Sequence, residues 1–294
     1  MKRIGVIGVA GGWSSERLAD AMQERTGFRL LIEMDQVSFD VSSGRAVCGD
    51  VDLCSLDALI VKKIGRYYSP DLMDRLNILE FVAGKGTPVF SSPQKIGQIL
   101  NRLHCTTRLR MAGMPIPETT VTENIPAAVA AVQRYGRAVL KPLYTSKARG
   151  MLVVDAKDEM LKDQITEFQH CGNTMIYIQK FLDHPGKDLG ITFLGGNYVG
   201  TYARVGSGDS WNTTTVSGGR YEAYDPSQEV IELARRAQEP MGLDLTCVDV
   251  VETDDGPKIF EVSAFGGFKG LWESGGIDLA QQYSDYVLTR IESS

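Results

Sequence analysis

The stretch Cys247–Phe268, CVDVVETDDGPKIFEVSAFGGF, constrains the fold of this chain more than any other. Two β-rich runs flank Thr253–Pro257, and Asp-Asp-Gly-Pro supplies turn chemistry, so the segment reads as a hairpin. With Glu252 facing Lys258 across it, the register sets Val250 opposite Phe260 and Asp249 opposite Glu261. Side chains alternate along a strand. Asp249, Glu261 and Ser263 therefore share one face, while Val248, Val250, Phe260 and Val262 fill the other. Carboxylates directly opposite one another repel, and a divalent cation bound through their oxygens removes the repulsion. Taken alone, the pair also fits two solvated acids on an exposed strand.

Composition is compatible with either reading. At 294 residues the chain suits about two domains of roughly 150 residues each. Hydrophobic content of 43% and charged content of 23% are those of a globular protein with an ample core. A net charge of -6 and a pI of 5.2 offer nucleic acid no bulk attraction, although a local basic patch can still hold phosphate. The run MKRIGVIGVAGGW is too short, and lacks the cleavage pattern, for a signal peptide or membrane span. The five cysteines form no CxxC pair, which favours a reducing compartment. These features point to a cytoplasmic protein without a nucleic-acid or membrane partner.

Ile4–Val9 is an apolar run containing Gly8 and followed by Gly11-Gly12. An amphipathic helix comes next, with Ser14 as its cap and Leu18, Ala21 and Met22 as its buried stripe. Strands are expected at Phe28–Glu33, Ala58–Lys62 and Pro88–Phe90, with a helix over Pro70–Ala83. This alternation predicts an open parallel sheet of α/β type. The spacing G-x-x-G-x-x-G-G is not G-x-G-x-x-G, so a tight strand-to-helix turn explains it better than a dinucleotide site. A helix over about 93–112 ends at Gly113, and MPIPET begins an extended linker. Residues from about 120 to 180 alternate strand and helix, the helices near 126–135 and 157–170. Strands near 188–194 and 198–205 follow, then a Gly/Thr/Ser-rich loop over 206–219. A helix over Ser227–Met241, the hairpin and a last helix from about Ile277 complete the chain.

Several residues offer chemistry singly, each with a plainer alternative. Lys141 leaves an apolar strand just before Pro142, where its ammonium can meet a bound phosphate or reach solvent. The polar, basic loop Tyr144–Gly150 can close over phosphates with backbone N–H groups. Met175–Leu182 runs from an apolar strand into Gln179, Lys180, Phe181 and Leu182, an edge able to hold a flat adenine ring. A buried strand followed by an exposed turn fits the same residues. Asp188 can accept from ribose hydroxyls. Arg204 can hold a transferred phosphoryl group and Asn212, in GDSWNTTTVSGG, can bind phosphate or metal oxygen; a turn-rich loop beside a solvated arginine is the other reading. Lys62, Lys63 and Arg66, in VKKIGRYY, suit an anion-binding cleft or a solvated turn. Cys247 reads as a small buried hydrophobe rather than a ligand. No Ser-His-Asp arrangement is visible. His104, His170 and His184 lack zinc spacing, and His184 reads as loop surface.

In this order the pieces resemble the ATP-grasp superfamily, most closely its RimK-like branch of amino-acid ligases, over nearly the whole chain. The N-terminal part matches in GGWSSERLADAM and LIVKKIGRYYSPDLMDRLNILEFVAGKGTPVFSSPQKI. NRLHCTTRLRMAGMPIPET is similar to the family's D-K-x-x-T…G-x-P-x-P-x-T segment. The core matches in VLKP, IQKFL, GITFLGGNYVGTYAR, MGLDLTCVDVV and IFEVSAFGGF; each is loose singly and specific as an ordered set. The resemblance implies an ATP-grasp fold, an α/β chain with an α+β core. An N-terminal open parallel-sheet domain would span 1–92 and an ATP-grasp domain 93–294. The latter divides into a lid at about 120–180 and a metal-binding, catalytic part at about 181–294.

Position by position, the resemblance implies phosphate-binding cations at Arg102 and Lys141 and an adenine hinge at Gln179, Lys180, Phe181 and Leu182. It implies a ribose acid at Asp188, a transition-state arginine at Arg204 and metal carboxylates at Asp249 and Glu261. Ser263 or Asn212 would add oxygen donors. Three positions depart from the family pattern. Ser263 stands where asparagine is usual and is a shorter, weaker ligand; the lid loop lacks the usual glycine pair; Gly190 stands where an arginine is common.

The activity so implied is an ATP-dependent carboxylate–amine ligase using ATP with Mg2+ or Mn2+, through an acylphosphate that an amine attacks. Its substrates would be a small-molecule or peptide carboxylate and an amine, the resemblance suggesting glutamate or a similar amino acid. Homo-oligomers are common among similar ligases. Ser263 and the altered lid motivate an alternative, a degenerate protein that binds nucleotide as a sensor or scaffold. Phosphotransfer to a non-carboxylate acceptor is a third reading, for which no catalytic histidine presents itself.

Overall fold

The chain opens with β1 (Ile4–Ile7), α1 (Trp13–Thr26) and β2 (Leu31–Ile32), followed by a meander of β3 (Val37–Asp40), β4 (Arg45–Cys48) and β5 (Val51–Asp52). It resumes with β6 (Ala58–Val61), α2 (Leu72–Gly84) and β7 (Val89–Phe90). The computed structural model describes residues 2–183, 186–207, 211–215 and 218–293. Strands β1, β2, β6 and β7 form the expected parallel sheet, in the order β2-β1-β6-β7. Ile-Gly-Val-Ile and Ala-Leu-Ile-Val are buried throughout, as strands covered on both faces must be.

The turn into α1 is tight: a Cβ on Gly8 would lie 2.7 Å from that of Ser15, and Gly11 has φ +72°. Ser15 closes it, its Oγ accepting the Val9 N–H at 3.1 Å. The expected cap, Ser14, lies inside the helix, and Gly12 takes the cap position without a side-chain bond. The meander escapes the hydrophobic pattern because β3 alternates only half-buried with exposed residues. Its first turn is made by Asp40, which accepts the Ser42 and Ser43 N–H groups at 2.9 and 3.2 Å.

The helix expected over 93–112 is two helices, α3 (Pro93–Leu100) and α4 (Arg102–Met111). Asn101 between them is extended, and its Oδ1 accepts the His104 N–H at 3.1 Å. Asparagine is a strong helix cap and a poor interior residue, so the break follows from its chemistry. It puts Arg102 at the first position of α4.

Next come β8 (Thr119–Thr122), α5 (Ile125–Tyr135), β9 (Arg137–Lys141), β10 (Leu152–Asp155), α6 (Leu161–His170) and β11 (Ile176–Lys180). They build an antiparallel sheet, order β10-β9-β11-β8, with both helices against one face. We call it the lid sheet. Its apolar cluster, including Val132, Leu140, Ile165 and Ile178, lies wholly within residues 125–178.

The last part holds β12 (Lys187–Leu194), β13 (Asn197–Val205), β14 (Arg220–Ala223), α7 (Gln228–Gln238), β15 (Leu245–Thr253), β16 (Gly256–Ser263), α8 (Phe268–Gly275) and α9 (Leu279–Glu292). Its antiparallel sheet runs β14-β13-β12-β15-β16. Two elements go beyond the sequence expectation. Edge strand β14, Arg-Tyr-Glu-Ala, buries almost nothing, and α8 is short and interrupted by glycine. Two apolar clusters bind this sheet to the N-terminal one. One joins Leu59 and Leu79 to Leu189 and Val248, the other Ile4 and Leu18 to Leu245 and Val287. Helix α1 packs on α9, where Arg25 lies 2.6 Å from Asp285. No described helix is long and apolar enough to cross a membrane.

Candidate active site

The β15–β16 hairpin places the acid pair: Asp249 stands directly opposite Glu261, and Cys247 opposite Ser263. Nearer the turn the register differs from the expected one, because Glu252 faces Pro257 and Val251 faces Lys258. A bulge between Asp249 and Val250, with Phe260 as the extra residue, reconciles the two halves. Ile259 consequently takes the core place expected for Phe260, whose ring turns to the site.

Over this face opens a cavity of about 610 Å³, walled by the N-terminal sheet's turns, the lid sheet and the five-stranded sheet. Arg102, Lys141, the segment 179–182, Asp188, Arg204, Asn212, Asp249, Glu261 and Ser263 all line it. Both acids are held by guanidiniums. Arg204 approaches Asp249 at 2.9 Å and donates through Nε to Asp188 at 3.0 Å. Arg102 donates to Glu261 at 2.9 Å and to the carbonyls of Pro142 and Thr145, each at 3.2 Å.

Burial pushes the Asp249 carboxyl up to about 7; Arg204 opposes that rise, while Glu261 and Asp188 add to it. Burial also disfavours the Arg204 charge, but Asp188 and Asp249 outweigh it and hold that group well above its ordinary value. Lys141 lies 2.5 Å from the Gln179 Oε1 and 5.3 Å from the centre of the Phe260 ring. Burial, with Arg102 nearby, brings its ammonium down to about 7 against the pull of Glu261. An amine held this way gains its charge back when an anion arrives.

Other expected residues are placed differently. Asp188 is already engaged within the site by Arg204 and Thr213 instead of standing open for ribose. In the hinge segment, the Lys180 and Phe181 N–H groups donate to the Glu118 and Arg137 carbonyls at 2.8 and 2.9 Å. Those two amides therefore serve the lid sheet, not a ring edge. Ser263 turns toward its own loop, its Oγ accepting the Phe265 N–H at 3.2 Å, and the Asn212 Oδ1 accepts the Thr214 N–H at 3.1 Å. At Gly190 a Cβ would meet the Tyr202 ring at 2.3 Å, so the tyrosine fills the space where an arginine is common. In the lid loop Lys147 and Ala148 take φ +59° and +57°, a conformation glycine adopts without strain.

Lys62 and Lys63 line the cavity, whereas Arg66 turns away to Glu33 at 3.1 Å and the Ala10 carbonyl at 3.2 Å. The Lys62 Nζ donates to the Phe265 carbonyl at 2.6 Å, and burial beside Lys63 lowers it to about 7. Cys247 is a buried thiol pushed up to about 12, first by burial and then by Asp249, so it supplies no thiolate. His184 lies outside the described residues. The aromatic lining, which includes Trp13, Tyr68, Tyr202 and Trp211, carries no local signal in the sequence.

The acid pair suits a hard divalent ion. Among the described residues no three His, Cys, Asp or Glu side chains gather as a metal site. A cation here would take two carboxylates and complete its shell with phosphate oxygens and water, the habit of Mg2+.

Residues 100–287 match the RimK-like ATP-grasp domain. The chain is 27% identical to the tetrahydromethanopterin:alpha-L-glutamate ligase of Methanosarcina acetivorans, an alignment covering 98% of this chain and 99% of the relative. Among solved structures it resembles the RimK domain protein ATP-grasp from Sphaerobacter thermophilus, at 23% identity and a TM-score of 0.76, covering 97% of this chain and 98% of that one. It also resembles the ATP-grasp ligase PsnB, solved with a minimal precursor variant, Mg and ADP, at 18% identity and a TM-score of 0.75, covering 99% of both chains. These structural likenesses concern the fold.

Proposed function

The chain belongs to the RimK-like ATP-grasp family and is an ATP-dependent carboxylate–amine ligase; from that premise we propose that it joins an amino acid such as glutamate, through its amine, to an acid acceptor. Glutamate is suggested by the name of the archaeal relative, and the PsnB complex supports ATP with Mg2+ as the working pair. The acceptor is a small-molecule or peptide carboxylate. We take residues 1–92 as the N-terminal pre-ATP-grasp domain and residues 93–294 as the ATP-grasp domain. Five free thiols support a reducing, cytoplasmic setting.

Asp249 and Glu261 would hold Mg2+, which when bound neutralises charge on the triphosphate. Lys141 and Arg102 bind phosphate oxygens, and Arg204 holds the γ-phosphoryl group as it moves. An acceptor carboxylate oxygen attacks the γ-phosphorus; the bond to the bridging oxygen breaks, and ADP leaves with the electron pair. The amine then attacks the acyl carbon and loses its proton, and phosphate departs from the acylphosphate to leave an amide. Positioning and electrostatics do most of this work. The lid sheet excludes the water that would hydrolyse the acylphosphate.

The observation that carries this reading is the direct opposition of Asp249 and Glu261, each already matched with an arginine, on one wall of the cavity. No feature of the described site favours the non-catalytic alternative. Glu261→Ala lowers acid- and amine-dependent ADP release by about 10³-fold. Near-normal turnover in that variant overturns the metal assignment.

A further inference from the structure

The chain has three tryptophans, at positions 13, 211 and 272; two line the cavity and the third packs on one of those two. Trp13 and Trp211 line it, and Trp272 packs on Trp13 with ring centres 6.2 Å apart and planes inclined at 47°. Trp13 begins α1 just past the carboxyl end of β1, and Trp272 sits on α8, whose first residues Phe268 and Lys269 also line the cavity. Two helices far apart in sequence thus bring their indoles together. Yet the pair stays open, Trp13 being 38% and Trp272 44% exposed. An indole is among the largest apolar surfaces a chain can bury, and it is ordinarily well covered. Two adjoining half-bare indoles, one of them lining the cavity, have the chemistry of a platform for a flat ring.

We propose that Trp13 and Trp272 form a stacking shelf for a planar aromatic group carried by the acceptor acid, a substrate class that rests on the ligase reading above. Adenine is the competing ring, but its expected contacts come from residues 179–182 at the end of β11, whereas the shelf is built by α1 and α8. The shelf also shares its cavity with two lysines suited to an acid, Lys63 and the more deeply buried Lys62. Strand β6 pairs with β1, and its carboxyl end delivers Lys62 and Lys63 to the same side of the cavity. Neither lysine has an ion-pair partner among the described residues. Ligands of open parallel sheets bind at this end of the strands.

The test uses two acids with the same carboxylates, N-benzoylglutamate and N-acetylglutamate. Each is titrated by calorimetry into the full-length enzyme loaded with Mg2+ and a non-hydrolysable ATP analogue. The benzoyl acid is expected to bind about tenfold more tightly. Trp272→Leu and Trp13→Leu each bring the two dissociation constants together, and Trp13→Phe keeps part of the difference, with folding followed by circular dichroism. Equal affinities in the unaltered enzyme, a preference that survives in the Trp13→Leu/Trp272→Leu double variant, or no binding of either acid at millimolar concentration overturns the proposal. ADP release with glutamate as amine is scored separately. Ring preference without turnover removes the ligase reading and leaves the shelf, and turnover without ring preference does the reverse.

Discussion

The lid sheet keeps its apolar side chains to itself within residues 125–178, whereas the N-terminal and five-stranded sheets pool theirs in two shared clusters. What ties the lid to the rest is largely polar. Arg102 reaches the Pro142 and Thr145 carbonyls on one side and Glu261 on the other, and Thr106 meets the Tyr177 hydroxyl at 2.9 Å. Separating a shared apolar core exposes its whole area to water. Polar bonds can be exchanged for water at a net cost of only about 1 kcal/mol each. The expectation is that the body unfolds as one cooperative unit and that the lid sheet separates from it more readily.

Arg102→Met is the strongest way to break this contrast. It severs lid, α4 and β16 from one another at once and should lower acid-dependent ADP formation about 100-fold while leaving the body's melting transition in place. A few-fold loss, or a collapse of the main transition, shows that the two regions are not joined as described. Next in size is a matched pair of core truncations. Ile178→Ala in the lid and Ile191→Ala in the body each remove about 2–4 kcal/mol. Hydrogen exchange should show the first lowering protection in β9–β11 alone and the second throughout the body. Equal loss in β12 and β15 for both variants makes the molecule a single unit. The smallest effect is a proton count. Burial brings Lys141 down to about 7, and a triphosphate bound beside it, as proposed, would raise that value. Mg2+–ATP should then bind with proton uptake that approaches one per site near pH 8, as pH rises through that value, and that fades at lower pH where the amine is already charged. Calorimetry in buffers of different ionisation enthalpy reads this, and uptake that persists in Lys141→Met assigns it elsewhere.

The hairpin was legible because strand alternation and turn chemistry are local signals, but its turn register is one residue off the expected one, and the bulge is what brings Asp249 opposite Glu261. The parallel sheet was legible for the same reason, in runs such as Ile-Gly-Val-Ile. The bulge itself was not, since one extra residue leaves the hydrophobic pattern almost unchanged. The break at Asn101 had a signal, a capping residue inside a helical stretch, that continuous helical periodicity masked. The engagement of Asp188 by Arg204 and the meeting of Trp13 with Trp272 depend on strand pairing and helix packing, which no local window of sequence contains.

The guanidinium–carboxylate pairs at Asp249 and Glu261 bear on the order in which ligands arrive. A bare divalent ion would have to compete with these arginines for the carboxylate oxygens and offers them nothing in exchange. A nucleotide brings phosphates onto which both arginines can swing, and the carboxylates are released in the same event. On the proposed reading the resting pocket would act like a lock with two keys, favouring a metal ion that arrives already bound to its triphosphate.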